Sequence, residues 1–308
     1  MNKIVVNNLT KDYGHGRGIY DVAFEVKEGE VFGFLGPNGA GKSTTMRHLM
    51  GFSKPQKGTA VIDGMDCWKK HGKLMKEVGY LPGEVTLPEG LDSKGFIQMM
   101  QGLRNATNQQ LINNLLERFQ LNLTGDVKKL SIGEKRKLAV VAAFMNDPDV
   151  LLLDEPTSGL DPVMQEVFIE FIKEQKKKGK TVLLSSHIFN EVEALCDRIA
   201  IIKEGKIITV VDAEEVKHYK RKTFEVTFSN REDYDAFQKE AFEIREQHPE
   251  ELMLSMVVED EQTNDFVQSA IHYRLAKMVE HQQTLEEYFM HFYKSDRRFG
   301  GLKHGRNH

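Results

Sequence analysis

A glycine-rich segment of the sequence combines residue types that suit phosphate binding. GPNGAGKST, residues 36–44, fits the spacing G-x-x-x-x-G-K-[ST], and the apolar run 31–35 before it disfavours a purely structural turn. Its glycines let backbone N–H groups face phosphate oxygens, and the helix predicted after it adds positive potential. We expect Lys42 to reach the β- and γ-phosphates and the Ser43 hydroxyl to bind Mg²⁺. The predicted phosphate-binding residues are Gly36, Pro37, Asn38, Gly39, Ala40, Gly41, Lys42, Ser43 and Thr44.

Two predicted strand ends carry residues suited to metal binding and proton transfer. VLLLDEP, residues 150–156, is an apolar strand that ends in Asp154 and Glu155. In P-loop nucleotide hydrolases an Asp at such a strand end holds the Mg²⁺ shell, and Glu155 could act as general base on the attacking water. His187 follows the apolar run 181–185, where it could donate a hydrogen bond to the γ-phosphate. The alternatives are solvated acids after a strand and a surface His that begins a helix.

The segment LSIGEKRKL, residues 130–138, has two interpretations. Ser131 followed by Glu134 and an apolar run is typical of a capping box, which begins a helix. The start of a helix also attracts anions, so the segment could contact a phosphate. The same spacing occurs at 284–287, where no chemistry is evident, so a capping box alone is weak evidence of function.

These motifs require a sheet that brings their strand ends together. Short apolar runs flanked by helical segments predict buried parallel strands and an α/β fold. The predicted parallel strands are 31–35, 150–153, 181–185 and 198–202. Further predicted elements are strands over 4–6 and 22–26, helices over 46–52, 91–119 and 138–145, and a flexible turn at 14–18.

The residue pattern changes after position 212, which predicts a second domain. The charged stretch 218–222 resembles a linker, and the elements after it follow the order βαββαβ plus a last helix from Thr284. That order predicts a small ferredoxin-like α+β domain. The predicted organisation is an ATPase domain over 1–215 with a helical subdomain at about 84–146, a linker over 216–222, the α+β domain over 223–293, and a basic tail over 294–308. We expect the tail to be solvated or disordered, with lipid headgroup contact as the alternative.

Composition excludes several classes of protein. The net charge is -4, so no basic excess indicates nucleic acid as a partner. Cys67 and Cys196 lie far apart without nearby ligands, which disfavours a disulfide framework or zinc site and favours a reducing compartment. No apolar run reaches the roughly 18 residues that a membrane-spanning helix needs. If the protein acts at a membrane, we expect a partner to supply the spans.

Over residues 2–212 the motifs resemble the ATPase subunit of an ABC transporter, and they occur in that family's order. The P-loop is complete, LSIGE stands where the signature LSGGQ is usual, and SGLD at 158–161 follows as the D-loop. His187 matches the switch histidine, and Tyr13 matches the aromatic residue that stacks on adenine. The resemblance implies a head-to-tail homodimer that sandwiches ATP and Mg²⁺. Ser131, Gly133 and the D-loop Asp161 would then contact ATP held by the opposite subunit.

Two departures from the family pattern affect the site. In the signature, Ile132 replaces a glycine and Glu134 replaces the usual glutamine, while Ser131 and Gly133 are retained. We therefore expect a working site. The family also has a glutamine after the strand near residue 78, where this chain has Gly83 and Glu84. Glu84 could still bind a hard cation through oxygen.

The GYLPGE loop and the C-terminal stretch TLEEYFMHFY resemble ATPase subunits of the ABC-2 export type. Those subunits work with a separate polytopic permease and export drugs, peptides, antibiotics or polysaccharides. The resemblance implies a cytoplasmic protein, peripheral on the membrane through its permease. The alternative is a soluble ABC-type ATP switch. Such proteins usually carry two ATPase halves or a long coiled coil, and residues 45–129 between the two motifs show no heptad pattern.

Overall fold

A computed structural model describes residues 1–214, 221–281, 285–286 and 289. The chain divides into two compact units, Met1–Asp212 and Ala213–His308. Within the described part of the chain, no helix combines the length and apolarity needed to cross a bilayer.

The first unit contains ten strands, seven α-helices and one short 3₁₀ helix (Val127–Lys129) among its described residues. The strands are β1 (Asn2–Gly14), β2 (Arg17–Lys27), β3 (Val31–Leu35), β4 (Lys57–Ile62), β5 (Met65–Asp66), β6 (Val78–Leu81), β7 (Val150–Asp154), β8 (Thr181–Ser186), β9 (Arg198–Lys203) and β10 (Lys206–Asp212). The helices are α1 (Lys42–Leu49), α2 (His71–Glu77), α3 (Ser93–Arg104), α4 (Gln109–Arg118), α5 (Ile132–Phe144), α6 (Pro162–Lys177) and α7 (Phe189–Leu195).

A six-stranded sheet forms the centre of this unit, in the order β10-β9-β3-β8-β7-β6. The strands β9, β3, β8, β7 and β6 are parallel, and β10 is antiparallel to β9. All residues of β3, β7 and β8 are buried. On one face, Phe32 and Phe34 pack against Phe24 of β2, so the antiparallel sheet covers part of the central sheet. The four predicted parallel strands are thus confirmed. Their carboxyl ends meet at one edge, which brings together the segments that follow β3, β7 and β8.

A second sheet of the first unit is antiparallel, in the order β2-β1-β4-β5. Its first two strands are longer than the predicted strands 4–6 and 22–26, because bulges carry the pairing through the polar stretch after Val6. The flexible turn predicted over 14–18 is too long. Gly14 pairs with Arg17, so only two residues form the turn of a tight hairpin.

The helices also differ from the prediction at their ends. The helix expected over 46–52 begins earlier, at Lys42 inside the glycine-rich loop, and ends at Leu49. The helical region expected over 91–119 is two helices, because Asn105 adopts a left-handed conformation that ends α3. The helix predicted over 138–145 begins earlier, at Ile132, and α5 is buried from Leu138 to its end at Phe144.

The second unit contains strands β11 (Arg221–Phe228), β12 (Glu243–His248), β13 (Met253–Glu259) and β14 (Leu275–His281), with helices α8 (Arg231–Phe237) and α9 (Thr263–Ala270). The order along the chain is βαββαβ, and the antiparallel sheet has the order β12-β13-β11-β14. Aromatic side chains, including Phe224, Phe237 and Phe266, fill its core.

The predicted linker over 216–222 extends too far. Arg221 and Lys222 already belong to β11, where Lys222 pairs with Val258 of β13. The Lys222 ammonium also lies 3.9 Å from Asp260, just after β13, and 3.7 Å from Glu280 of β14. These opposite charges stabilise a charged residue at the start of the strand. The start of the last predicted helix at Thr284 and the basic tail 294–308 lie outside the described residues.

Candidate functional site

The glycine-rich loop between β3 and α1 is held by its own lysine. The buried Lys42 Nζ donates to the carbonyl oxygens of Gly36 at 2.6 Å and Pro37 at 3.2 Å. Gly41, the residue before α1, has φ 112 and offers no side chain to cap the helix. The backbone N–H groups at the start of α1 therefore keep their capacity to bind an anion, while Ser43 is exposed beside them.

Among the side chains predicted to act in catalysis, Glu155 contacts both Lys42 and His187 at the carboxyl edge of the sheet. Lys42 Nζ lies 3.1 Å from Glu155 Oε1, in an ion pair whose geometry does not form a hydrogen bond. His187 Nδ1 lies 2.5 Å from Glu155 Oε2. Glu155 has φ 48, a left-handed conformation that is uncommon for a residue with a side chain. Such a conformation persists only where surrounding contacts hold it, and it is frequent at functional sites.

Asp154 occupies the end of β7 beside this cluster. Its side chain is buried and accepts a hydrogen bond from the Ser185 hydroxyl. A Cβ built on Gly83 would lie 3.1 Å from Asp154 Oδ2, so the backbone of Gly83 packs against this carboxylate. Glu84 is exposed. No group of three His, Cys, Asp or Glu side chains is assembled for a metal within the described ranges. A hydroxyl and one carboxylate are nevertheless a common protein contribution to a Mg²⁺ site, since Mg²⁺ keeps several waters.

The signature segment, residues 130–134, begins α5 with the predicted capping box. The Ser131 hydroxyl and N–H donate to Glu134 Oε2 at 2.7 and 2.9 Å, and the Glu134 N–H donates back to Ser131 Oγ at 3.2 Å. These hydrogen bonds from Ser131 hold the pKa of the Glu134 carboxyl below its ordinary value. Ile132 points outward, with 76% of its surface exposed.

The signature segment lies against the D-loop of the same chain. A Cβ built on Gly159 would lie 2.7 Å from Ile132 Cγ2, and one built on Gly133 would lie 3.1 Å from the Gly159 carbonyl oxygen. Both glycines therefore permit a close approach of two loops. Asp161 follows Gly159 and accepts a hydrogen bond from the Met164 N–H at 3.0 Å, so it caps α6.

Tyr13 lies near the end of β1 and presents much of its ring to solvent. It is 54% exposed, and its hydroxyl lies 3.5 Å from Ser53 Oγ. The Lys11 ammonium lies 5.7 Å from the centre of the ring. The structure thus leaves the ring accessible for stacking, while its contacts are with residues outside the glycine-rich loop.

Sequence reasoning missed two buried charged residues behind the cluster. Arg136 on α5 is 4% exposed, and Glu191 on α7 is 2% exposed. Burial raises the pKa of Glu191 to about 7, although the Ser186 hydroxyl donates to its Oε2 at 2.6 Å. For Glu191 the available signal was periodicity, since it lies one turn before Leu195 on the buried face of α7. No local pattern in α5 distinguishes Arg136 from the lysines beside it.

The comparisons with known proteins agree with this geometry. Residues 19–158 match the family model for ABC transporters. The uncharacterized ABC transporter ATP-binding protein YhcH of Bacillus subtilis is 36% identical over 213 residues, which is 68% of this chain and 70% of that protein. The probable multidrug ABC transporter ATP-binding protein YbhF of Escherichia coli is also 36% identical, over 70% of this chain but only 38% of its own length. Nod factor export ATP-binding protein I of Burkholderia orbicola is 37% identical, over 65% and 68% of the two chains.

Solved structures show the same fold. The ATP-binding subunit of an ABC transporter superposes with a TM-score of 0.64 at 29% identity, over 70% of this chain and 92% of that one. A dimeric bacterial ABC transporter cassette superposes with a TM-score of 0.62 at 24% identity, over 68% and 98%. The first unit is therefore a P-loop nucleotide hydrolase core. With a P-loop, an Asp-Glu strand end and a signature segment in one chain, this protein belongs to the ATP-binding subunits of ABC transporters and is an ABC ATPase.

Proposed function

We propose that the chain is the ATP-hydrolysing motor of an ABC export complex. In this proposal two copies pair head to tail around ATP and drive a separate polytopic permease. The observation that carries the proposal is the contact of Glu155 with both Lys42 and His187 next to the P-loop. A general base has to lie within hydrogen-bond reach of the proton it takes, and here it is held beside the lysine expected to contact the phosphates.

The proposed roles follow from these positions. The P-loop N–H groups and Lys42 bind the β- and γ-phosphates, and Lys42 exchanges its contacts with loop carbonyls for phosphate oxygens. Glu155 accepts a proton from the attacking water, and His187 orients Glu155 and contacts the γ-phosphate. The exposed ring of Tyr13 stacks on the adenine.

The residues beside the cluster also suit Mg²⁺. The exposed Ser43 hydroxyl and the buried Asp154 carboxylate are oxygen donors, and Ser185 orients Asp154. We propose Ser43 and Asp154 as the residues that hold the ion, with Glu84 as a further oxygen donor. When bound, Mg²⁺ would neutralise charge on the phosphates.

The second half of the site would come from the other copy. Ser131, Gly133 and Asp161 are proposed to contact ATP bound to the P-loop of the partner. Support comes from the outward position of the signature segment and from the dimeric cassette that shares this fold. An isologous pair of this kind would hold two equivalent ATP sites.

Export is the proposed direction because two similar relatives are named for multidrug transport and Nod factor export. The exported class would be drugs, peptides or antibiotics, and we propose no nucleic acid partner. The chain would act in the cytoplasm, peripheral on the membrane through its permease. We further propose a first domain over 1–215, with its helical subdomain at about 84–146, and a ferredoxin-like domain over 223–293. The element order and sheet order of the second unit support that last assignment.

The test is Glu155→Gln in the full chain. Removal of the general base is expected to lower turnover by about 10²–10⁴-fold, while ATP binding persists and an ATP-dependent dimer accumulates. Steady-state hydrolysis, nucleotide binding and light scattering measure the three properties. Glu166→Gln, an exposed position on α6, is the matched control. Turnover at the parent rate in Glu155→Gln would disprove the assigned base.

A pull-down from solubilised membranes tests the export assignment separately. We expect a polytopic membrane protein to co-purify with the chain. Recovery with ribosomes or DNA and without a polytopic partner would instead support a soluble ATP switch.

A further inference from the structure

Arg136 on α5 connects three parts of the ATPase core through backbone carbonyls. Its Nε donates to the Ser158 carbonyl oxygen at 3.0 Å, and its Nη1 donates to that of Pro82 at 2.6 Å. Its Nη2 donates to the Gly83 carbonyl oxygen. The guanidinium thus joins the signature helix to the turn after β7 and to the loop after β6.

The two segments that Arg136 contacts also contact residues proposed to act on ATP. The Ser158 N–H donates to the Glu155 carbonyl oxygen at 3.1 Å, which closes the turn that holds Glu155 in its left-handed conformation. The backbone of Gly83 packs against Asp154. Movement of Arg136 would therefore shift the backbone on two sides of the Asp154–Glu155 pair.

Only the shape of an arginine side chain allows this arrangement. The guanidinium is planar and presents its donors in a fixed fork, so one side chain reaches three carbonyl oxygens in two segments. A lysine ammonium is a point charge and cannot span the same acceptors. Burial lowers the pKa of Arg136, and the nearby negative charges of Asp154, Glu155 and Glu191 oppose that effect. The Arg136 guanidinium therefore donates its hydrogen bonds to neutral carbonyl oxygens, while nearby carboxylates that it does not contact compensate its charge.

We propose that Arg136 is a positioning residue that keeps the turn carrying Glu155 and the loop after β6 in register with the signature helix. The inference rests on the proposed function, because it assigns Glu155 to ATP hydrolysis. It also gives a role to Gly83, which with Glu84 stands where the family has a glutamine. A glycine has no side chain to connect this loop with the Asp154–Glu155 edge, so the connection runs through its carbonyl and Arg136.

The experiment compares Arg136→Lys with Arg104→Lys in the full chain. Arg104 is a matched control, because its Nη1 donates to the Val78 carbonyl oxygen at 3.1 Å and to Asn146 Oδ1 at 3.3 Å, at the opposite end of β6. The measurements are kcat and KM for ATP, equilibrium binding of a fluorescent ATP analogue, and thermal unfolding. We expect kcat of Arg136→Lys to fall about 10–100-fold, since misplacement by about 1 Å costs that much, with KM and analogue binding within about threefold of the parent. Arg104→Lys should keep kcat within about twofold.

Hydrogen exchange supplies a readout that does not need turnover. In Arg136→Lys we expect faster exchange in peptides covering 82–85 and 155–160, and in Arg104→Lys no change there. Equal losses of kcat in the two variants, in proportion to their loss of stability, would overturn the proposal, as would unchanged exchange in these peptides. A parent chain without turnover would refute the proposed function, and the exchange data would still decide whether Arg136 positions the two loops.

Discussion

The two halves of the proposed ATP site are organised differently within one chain. In the P-loop half, Lys42, Glu155 and His187 come from three segments, and Glu155 contacts the other two. In the signature half, Ser131 and Glu134 are three residues apart and satisfy each other. The first arrangement depends on the whole parallel sheet, and the second depends on one helix start.

This difference indicates what each half needs in order to work. In the P-loop half, the fold itself places the base beside the lysine and the histidine. The Ser131 donors of the signature half have an internal acceptor in Glu134, and Ile132 beside them faces solvent. A phosphate at this segment must share or replace that carboxylate. In our proposal the phosphate belongs to ATP on the second copy.

The largest predicted effect tests whether the two halves come from different copies. Ser131→Arg should lower turnover by about 10²-fold or more while ATP binding persists, because the P-loop is unchanged. Lys42→Ala should also be inactive, through loss of the phosphate contact. A mixture of the two inactive variants should recover about a quarter of the parent turnover, because random pairing gives half heterodimers with one intact site each.

The control for this mixture uses two variants of the same half. Lys42→Ala mixed with Glu155→Gln damages the P-loop half in both copies, so no intact site can form and no recovery is expected. Full turnover by Ser131→Arg alone, or no recovery in the first mixture, would contradict a composite site.

A smaller effect is predicted for Glu134→Gln. Hydrogen bonds from Ser131 hold the pKa of Glu134 below its ordinary value, so its negative charge lies where a phosphate is expected. Glutamine keeps the capping geometry and removes the charge. We expect KM for ATP to fall about two- to fivefold with kcat within about twofold, in line with one weak exposed charge interaction. Steady-state hydrolysis measures both constants, with Glu166→Gln as control, and an unchanged or raised KM would show that the carboxylate does not compete.

The parts of this molecule that could be predicted from sequence are those in which local pattern and fold agree. The strands β3, β7, β8 and β9 each contain a continuous apolar run, so their burial on both faces could be predicted. The P-loop and the Asp154–Glu155 pair lie at the ends of such strands. The sequence therefore predicted that they meet at one edge of the sheet. Their pairing through Glu155 was not predicted, because it depends on contacts between segments more than a hundred residues apart.

The remaining features depend on tertiary contacts that have no local pattern. EKRK at 134–137 contains three cations of similar propensity, and only the packing of α5 against two loops decides that Arg136 is buried. Lys222 looked like part of a linker, because its partners Asp260 and Glu280 are remote in sequence. In each case a charged residue takes its structural role from distant segments.

The smallest predicted effect is on the pH dependence of stability. Glu191, behind the P-loop half, and Glu134, in the signature half, are expected to change stability in opposite directions as pH rises. Burial raises the pKa of Glu191, which lies behind the P-loop half, from an ordinary value of 4.5 to about 7. Its neutral form therefore contributes stability that is fully present below about 4.5 and is lost as pH rises through about 7. Glu134 has a lowered pKa, so its contribution is present above its ordinary value and is lost only as pH falls.

We therefore expect Glu191→Gln to gain thermal stability relative to the parent between pH 5 and 8, by a few degrees at about 2–4 °C per kcal/mol. Glu134→Gln should differ from the parent by a constant amount between pH 6 and 8. Thermal unfolding of the three proteins across this range gives both differences. A constant difference for Glu191→Gln would mean that Glu191 keeps its charge inside the core, compensated by Arg136. The P-loop half would then be stabilised by a buried charge pair. Glu191 and Glu134 would both be charged, and they would differ only in how far each is exposed to solvent.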